Sequence, residues 1–356
     1  MWPYWVLFMM AAIPAMMASS TSMTRPDGSR HFPIDGAWFA VIVILTLAIG
    51  LRYKVGGDWL SYTYWLEGSA RYTPFEALTQ SDPGYELINI LALNQDWGIA
   101  GVNLISGAIL ATGLTFFCRS LPRPWLALAV SIPYLVIVVG MGYSRQAVAL
   151  GFALLGYVAI GRHRYAWFVV WVLLGATFHK SAILLLPIAA LSATRNKYAS
   201  AAIAISATFL GYNFLLRGYT EHLIGTYINS DIQSSGALIR LLMNAVPAAV
   251  FVFTRKKFKI PYSELRLWIV VSMISISMLV LFGIFPTAST ALDRMALYLI
   301  PLQLFVFSHL PNAFPKYGAL NVSVFIVIYY TIVLFVWLNF ADYSTYWIPY
   351  RISTLD

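Results

Sequence analysis

The sequence predicts an all-α, polytopic integral membrane protein with about twelve transmembrane helices. Three observations lead there. Of 356 residues, 60% are hydrophobic and only 10% charged, whereas a water-soluble domain carries about 25% charged residues. Mean hydropathy is +0.73. Apolar runs that can cross a bilayer, roughly 20 residues or fewer where a helix is short, recur along the whole chain. This composition excludes a cytosolic enzyme, a nucleic-acid-binding module and a disordered tail. The single Cys118 cannot form an intramolecular disulfide, and no Cys/His cluster has metal-ligand spacing, so no disulfide scaffold or structural zinc site is expected.

The runs fall at 1–18, 37–53, 99–118, 124–142, 145–161, 165–178, 181–194, 198–215, 238–254, 265–285, 293–309 and 318–340. The first lacks the basic stretch and small-residue cleavage site of a signal peptide, although it could serve as an uncleaved anchor. No solenoid-period repeat, no pair of inverted broken helices and no separate soluble domain is visible, so residues 1–356 read as one membrane domain.

Charge placement orients the runs. The alternate loops 19–36, 119–123, 162–164, 195–197, 255–266 and 310–317 hold 14 of the 23 basic residues but only three acids, Asp27, Asp35 and Glu264. By the positive-inside rule these loops are cytoplasmic and both termini lie outside. The net charge of +9 then divides into +11 inside and −2 outside. Residues 165–191 would also make one long helix with His179 and Lys180 in its middle, but that would carry the cluster Arg255, Lys256, Lys257 and Lys259 outside. Thr177 to Ser181 are therefore expected to form a bend between two short helices, tolerable where backbone faces protein or a watery cavity.

Two outer loops, 53–98 and 216–240, exceed the length a connection needs. In the first, Asp82 and Pro83 look like an N-cap followed by proline at the first helical position. The helix they open would present Leu87, Ile90 and Leu91 as an apolar stripe along the membrane surface. Gly56 and Gly57 permit a tight turn before Asp58, and Trp59, Tyr62 and Trp65 share one helical face. Rings beside a carboxylate suit a carbohydrate, and an aromatic belt at headgroup depth would use the same rings.

The outer cations form a second group. Arg145 opens one span, Arg240 lies just inside another, Asp293 and Arg294 begin a third, Lys180 follows His179 at the bend, and Arg351 follows Trp347-Ile348-Pro349-Tyr350. Any one of them could merely snorkel to lipid phosphates. Together, on the face opposite the basic loops, they suit a pyrophosphate leaving group, because guanidinium forks bind phosphate oxygens bidentately and neutralise developing charge.

The succession GGDWLSYTYW, DPGYELIN, SRQAVALG, FHKSAILLLPIA, DRMALYLIPLQ and WIPYR resembles the EpsG/Wzy group of bacterial exopolysaccharide and O-antigen polymerases, in order, from about Gly56 to Arg351. Asp82 departs from the glutamate expected in an "EPGY"-like element and shortens that carboxylate's reach. The resemblance implies a GT-C-type glycosyltransferase of the bacterial inner membrane with its site facing the periplasm. Such enzymes transfer a growing glycan from undecaprenyl pyrophosphate to the non-reducing end of the next lipid-linked repeat unit. Donor and acceptor are then both undecaprenyl-pyrophosphate-linked oligosaccharides, membrane lipids surround the protein, and a chain-length regulator is a further conceivable partner. No nucleotide sugar, metal, cofactor or nucleic acid is called for. On this reading Asp58 is the first candidate for the catalytic base and His179 the second. Arg145, Lys180, Arg240, Arg294 and Arg351 cradle pyrophosphate. Asp293 orients Arg294 or Arg240, Trp59 and Tyr62 meet sugar, and Asp82, Tyr85 and Glu86 position the acceptor or shape a lipid groove. A ligase that delivers finished glycan elsewhere would share these features. A flippase or exporter of lipid-linked oligosaccharide would instead need charges at mid-bilayer and on both faces.

Overall fold

The computed structural model describes residues 1–17, 34–193, 209, 236–286 and 289–353. Within them the chain is helical, with one isolated antiparallel bridge between Arg52 and Ile352. The helices are α1 (Trp2–Met17), α2 (Gly36–Gly50), α3 (Trp59–Ser69), α4 (Pro74–Ala77), α5 (Pro83–Asn94), α6 (Gly98–Arg119) and α7 (Pro124–Ser131). α7 runs on as a π-helix over Ile132–Gly140. There follow α8 (Ser144–Gly161), α9 (Tyr165–Ala176), a 3₁₀ segment Lys180–Leu185, α10 (Leu186–Ala193), α11 (Ala237–Thr254), α12 (Tyr262–Ile284), α13 (Ser289–Ala296), α14 (Pro301–Ala313) and α15 (Ala319–Phe340).

Every expected apolar run coincides with a helical segment except 198–215, of which only residue 209 is described; 216–235 of the second long loop lies outside the described residues. Among the described residues only five helices are long and apolar enough to cross a membrane alone: α6, α8, α11 with its 3₁₀ extension, α12 and α15. α13 and α14 make a sixth if they count as one span, bent by 44°. α1, α2, α9 and the α7–π unit are apolar but shorter. The chain is thus a helical membrane protein, and several expected spans are too short to count by length.

The bundle has a centre and a lipid-facing rim. α6 and α8 are 61% and 72% buried over their apolar windows, against 28% for α15. α6 and α8 approach so closely that a Cβ on Gly113 would sit 2.1 Å from the Gly151 carbonyl oxygen. Small residues at such crossings are the means by which membrane helices gain packing contacts without a hydrophobic drive. Large apolar side chains such as Phe253, Phe325 and Phe340 are exposed on the rim, as hydrocarbon surroundings permit.

The two ends of the bundle differ in charge. At one end Arg119 lies over the Trp38 ring at 5.5 Å, Arg123 reaches Asn312 at 3.3 Å and Lys257 lies over Phe314 at 4.1 Å. These contacts gather the basic loops flanking α2, α6, α7, α11 and α14. The helices α3 to α5 of the first long loop, the start of α8, the end of α9 and the start of α11 lie at the other end. A second apolar cluster of Tyr62, Leu66, Tyr85, Ala92, Val102, Val148 and Phe178 seats α3 and α5 on α6, α8 and the bend.

Candidate active site

The chain turns into α3 through Gly56, at φ +109°, where a Cβ would lie 2.3 Å from the Met141 carbonyl oxygen. Only glycine meets both conditions. Asp58 follows at the N-cap position of α3 but makes no capping bond, which leaves its carboxylate uncommitted to the helix. Burial raises its pKa above the ordinary carboxylate range, and the nearby Arg294 and Arg145 oppose that rise.

Arg145, in the first turn of α8, pairs with Asp82 at 2.5 Å and lies over the Trp65 ring at 4.1 Å and the Tyr62 ring at 5.9 Å. Its Nε has no hydrogen-bond partner among the described residues. Asp82 was expected to cap α5 and does not; it makes no capping bond and serves Arg145 instead. Burial raises its pKa, with Arg145 and then Lys180 acting against the rise. On the far wall Arg240, at the start of α11, grips Asp293 through two bonds of 2.5 and 2.9 Å. Asp293 therefore orients Arg240. Arg294 stands over Tyr143 at 5.7 Å, and the Gln146 amide donates to its backbone carbonyl at 2.9 Å.

The expected bend between two short helices is present. α9 ends at Ala176, and His179 adopts an extended conformation before the 3₁₀ segment. α5 docks directly on it: the Gly84 N–H donates to the Thr177 carbonyl at 2.8 Å. His179 Nδ1 meets the Ser181 hydroxyl at 2.5 Å, and that hydroxyl contacts the Tyr298 phenol at 3.1 Å. Burial, with Arg145 and Arg294 adding to it, lowers the imidazole to about 3, so His179 is neutral at any ordinary pH. Asp58, Arg145, His179, Lys180, Arg240, Asp293 and Arg294, drawn from five stretches of chain, thus gather at the end opposite the basic loops.

Other expected residues stand elsewhere. Trp59 and Tyr62 are buried rather than presented as an open sugar platform; Trp59 meets Tyr53, and Tyr62 meets Tyr85. Tyr85 is fully buried beneath Trp65. Glu86 is also buried and accepts bonds from Trp65 Nε1 and Ser69 Oγ, each at 2.5 Å, so it fixes α3 to α5 instead of facing a substrate. Of the apolar stripe on α5, Ile90 turns inward while Leu87 and Leu91 stay exposed. The Arg351 side chain is exposed and does not join the cluster; its carbonyl accepts from the Tyr53 N–H at 2.9 Å.

The EpsG family pattern matches residues 37–352. The chain belongs to the EpsG family. This membership suggests a membrane protein of the polysaccharide-polymerase type, with glycosyltransferase-like activity. No curated protein and no solved structure matches the chain.

Sequence reasoning missed Arg52, which lies near the end of the second apolar run. It is 2% exposed. Its guanidinium donates to the Ile49 carbonyl, to Asn103 Oδ1 at 2.9 Å and to Ser144 Oγ at 2.8 Å, with no carboxylate partner among the described residues. It therefore joins α2, α6 and the residue just before Arg145. Its paired Asn and Ser acceptors lie 51 and 92 residues away, so no local pattern reveals them.

Proposed function

We propose that this EpsG-family protein is a polysaccharide polymerase that transfers a growing glycan from undecaprenyl pyrophosphate to a hydroxyl of the next lipid-linked repeat unit. The observation that carries the reading is a half-buried carboxylate, Asp58, facing two arginines beside a neutral histidine, in a membrane protein of this family. The acceptor hydroxyl oxygen attacks the anomeric carbon, Asp58 takes the hydroxyl proton, and the bond from that carbon to pyrophosphate breaks with its electron pair leaving on phosphate. Arg145, Arg294 and Lys180 neutralise that charge. Arg240 completes the cradle, held by Asp293, while Asp82 holds Arg145 through its ion pair. His179, uncharged, donates to or accepts from the sugar or pyrophosphate.

Orientation follows from charge: the basic loops lie at the cytoplasmic end and the site faces the outside of a bacterial inner membrane. The five long helices, the bent pair and the four shorter apolar helices make ten crossings among the described residues, and the expected runs 181–194 and 198–215 bring the proposed GT-C-like arrangement to twelve. The test is purified protein incubated with lipid-linked repeat unit alone. A glycan ladder that disappears in Asp58→Asn supports the reading. Transfer only when a separate acceptor is added would make the protein a ligase, and lipid movement without a new bond would make it a flippase.

A further inference from the structure

α13 does not run straight into α14. A 3₁₀ turn, Leu297–Leu299, intervenes, and Pro301 opens α14 at 44° to α13. Such a break creates a backbone problem, because the last carbonyls of a helix lack intrahelical donors and proline supplies no N–H. In a bilayer each unsatisfied carbonyl costs several kcal/mol. Here three carbonyls around the break accept bonds from side chains of other helices. Arg294 O accepts from Gln146 Nε2 at 2.9 Å, Ala296 O from Asn244 Nδ2 at 2.8 Å, and Tyr298 O from the Tyr157 hydroxyl at 3.1 Å. Asn244 is itself fixed, since its Oδ1 accepts from Gln303 Nε2 at 2.8 Å.

Gln146 follows Arg145 in the first turn of α8 and is 1% exposed. That turn sends the Arg145 guanidinium to the Asp82 side of the cluster and the Gln146 amide to the peptide of Arg294. We infer that Gln146 is a positioning residue: it fixes the Arg294 backbone relative to Arg145, so that two cations on helices far apart in sequence share one anionic group. Tyr157 and Asn244 hold the rest of the break open. The inference rests on the proposed role of Arg294 at the leaving group.

The experiment is a double-mutant cycle on the full chain in lipid nanodiscs, with Gln146→Met, Arg294→Lys and the pair, assayed by initial polymerisation rate. Hydrogen exchange of the amides from 294 to 300 is measured in parallel. Gln146→Met keeps the side chain's length and removes its donor. A shift of order 1 Å in a positioned group costs about hundredfold in rate. Accordingly kcat is expected to fall by about tenfold to hundredfold while KM for the lipid-linked donor changes by less than about threefold. In the Arg294→Lys background the same substitution costs less than about threefold, because coupled sites are not additive. Exchange over 294–300 quickens in Gln146→Met. Tyr157→Phe, which removes one hydroxyl from a buried ring, quickens it as well and guards against a general loss of folding. Multiplied losses in the double variant, or unchanged exchange in both single variants, would overturn the inference. If Arg294→Lys polymerises normally, the proposed function fails at that residue, and the exchange measurement alone then decides whether Gln146 holds the break.

Discussion

Gly84→Ala probes the contact that seats the outer helices on the bend. A Cβ at Gly84 would lie 2.5 Å from Thr177 Oγ1 and 2.8 and 3.0 Å from the Phe178 ring. Phe178 is buried and packs on Phe152 at 5.7 Å, so it has little room to retreat. Either the side chains strain, at about 1–3 kcal/mol for overpacking, or α5 lifts and the bond from Gly84 N–H to Thr177 O is lost, at about 1 kcal/mol net. Both routes move the loop that carries His179 and Lys180 against the helix start that follows Asp82. Stability should fall by about 1–3 kcal/mol, and polymer output per folded molecule by about hundredfold, the effect of a displacement near 1 Å at a positioned group. The assay pairs thermal unfolding in detergent with ladder formation at equal folded protein. Wild-type unfolding together with a wild-type ladder would refute the docking of α5 on the bend.

Three further outcomes are expected. Arg52→Lys should destabilise the protein by about 2–4 kcal/mol in thermal unfolding, since a single ammonium cannot serve three acceptors spread over three helices; an unchanged transition would show that the network is dispensable. Glu86→Gln should destabilise by about 1–3 kcal/mol, because the amide nitrogen faces a donor where the carboxylate accepted two bonds. Its kcat at equal folded protein should stay near wild type, and a selective loss of kcat would return Glu86 to the site. In a pH profile of kcat/KM, the base must be ionised and burial raises Asp58, so the rate falls as pH drops through a limb lying above the free-aspartate value of about 3.9. His179 at about 3 contributes no limb near neutrality; a limb at about 6.5, the free-imidazole value, that His179→Asn removes would contradict its burial.

The positions of the helices were legible in the sequence because an apolar run is a local property. So was the bend at Thr177 to Ser181, which followed from charge alternation across loops. Charge partners were legible only in part, since the two ion pairs join residues 63 and 53 positions apart. Asp82 before Pro83 carries every local mark of a cap, yet a guanidinium from α8 outcompetes the helix N–H groups for it. Glu86 looked like a site residue because a carboxylate in an aromatic loop invites a sugar, and nothing nearby in sequence announces that Trp65 and Ser69 consume it. The same limit concealed Arg52 and Gln146, whose significance lies wholly in what other helices bring to them.

The stretch from Trp347 to Ile352 is bound to remote parts of the protein. Trp347 Nε1 donates to the Ile137 carbonyl within the π-helix at 2.8 Å, and its own carbonyl accepts from the Tyr4 hydroxyl at 2.6 Å. Tyr350 donates to the Ala48 carbonyl at 2.7 Å, and Ile352 bridges Arg52. These residues leave the ribosome after every helix described has been synthesised. Until they arrive, the Ile137 carbonyl lacks its indole, Gly142 lacks the Trp347 ring that would lie 2.6 Å from a Cβ there, and the turn leading to Asp58 lacks its backing. The surroundings of Asp58 therefore gain this backing only once Trp347 to Ile352 have joined helices made long before them. Biosynthesis itself thus delays completion of the candidate site until this stretch has emerged.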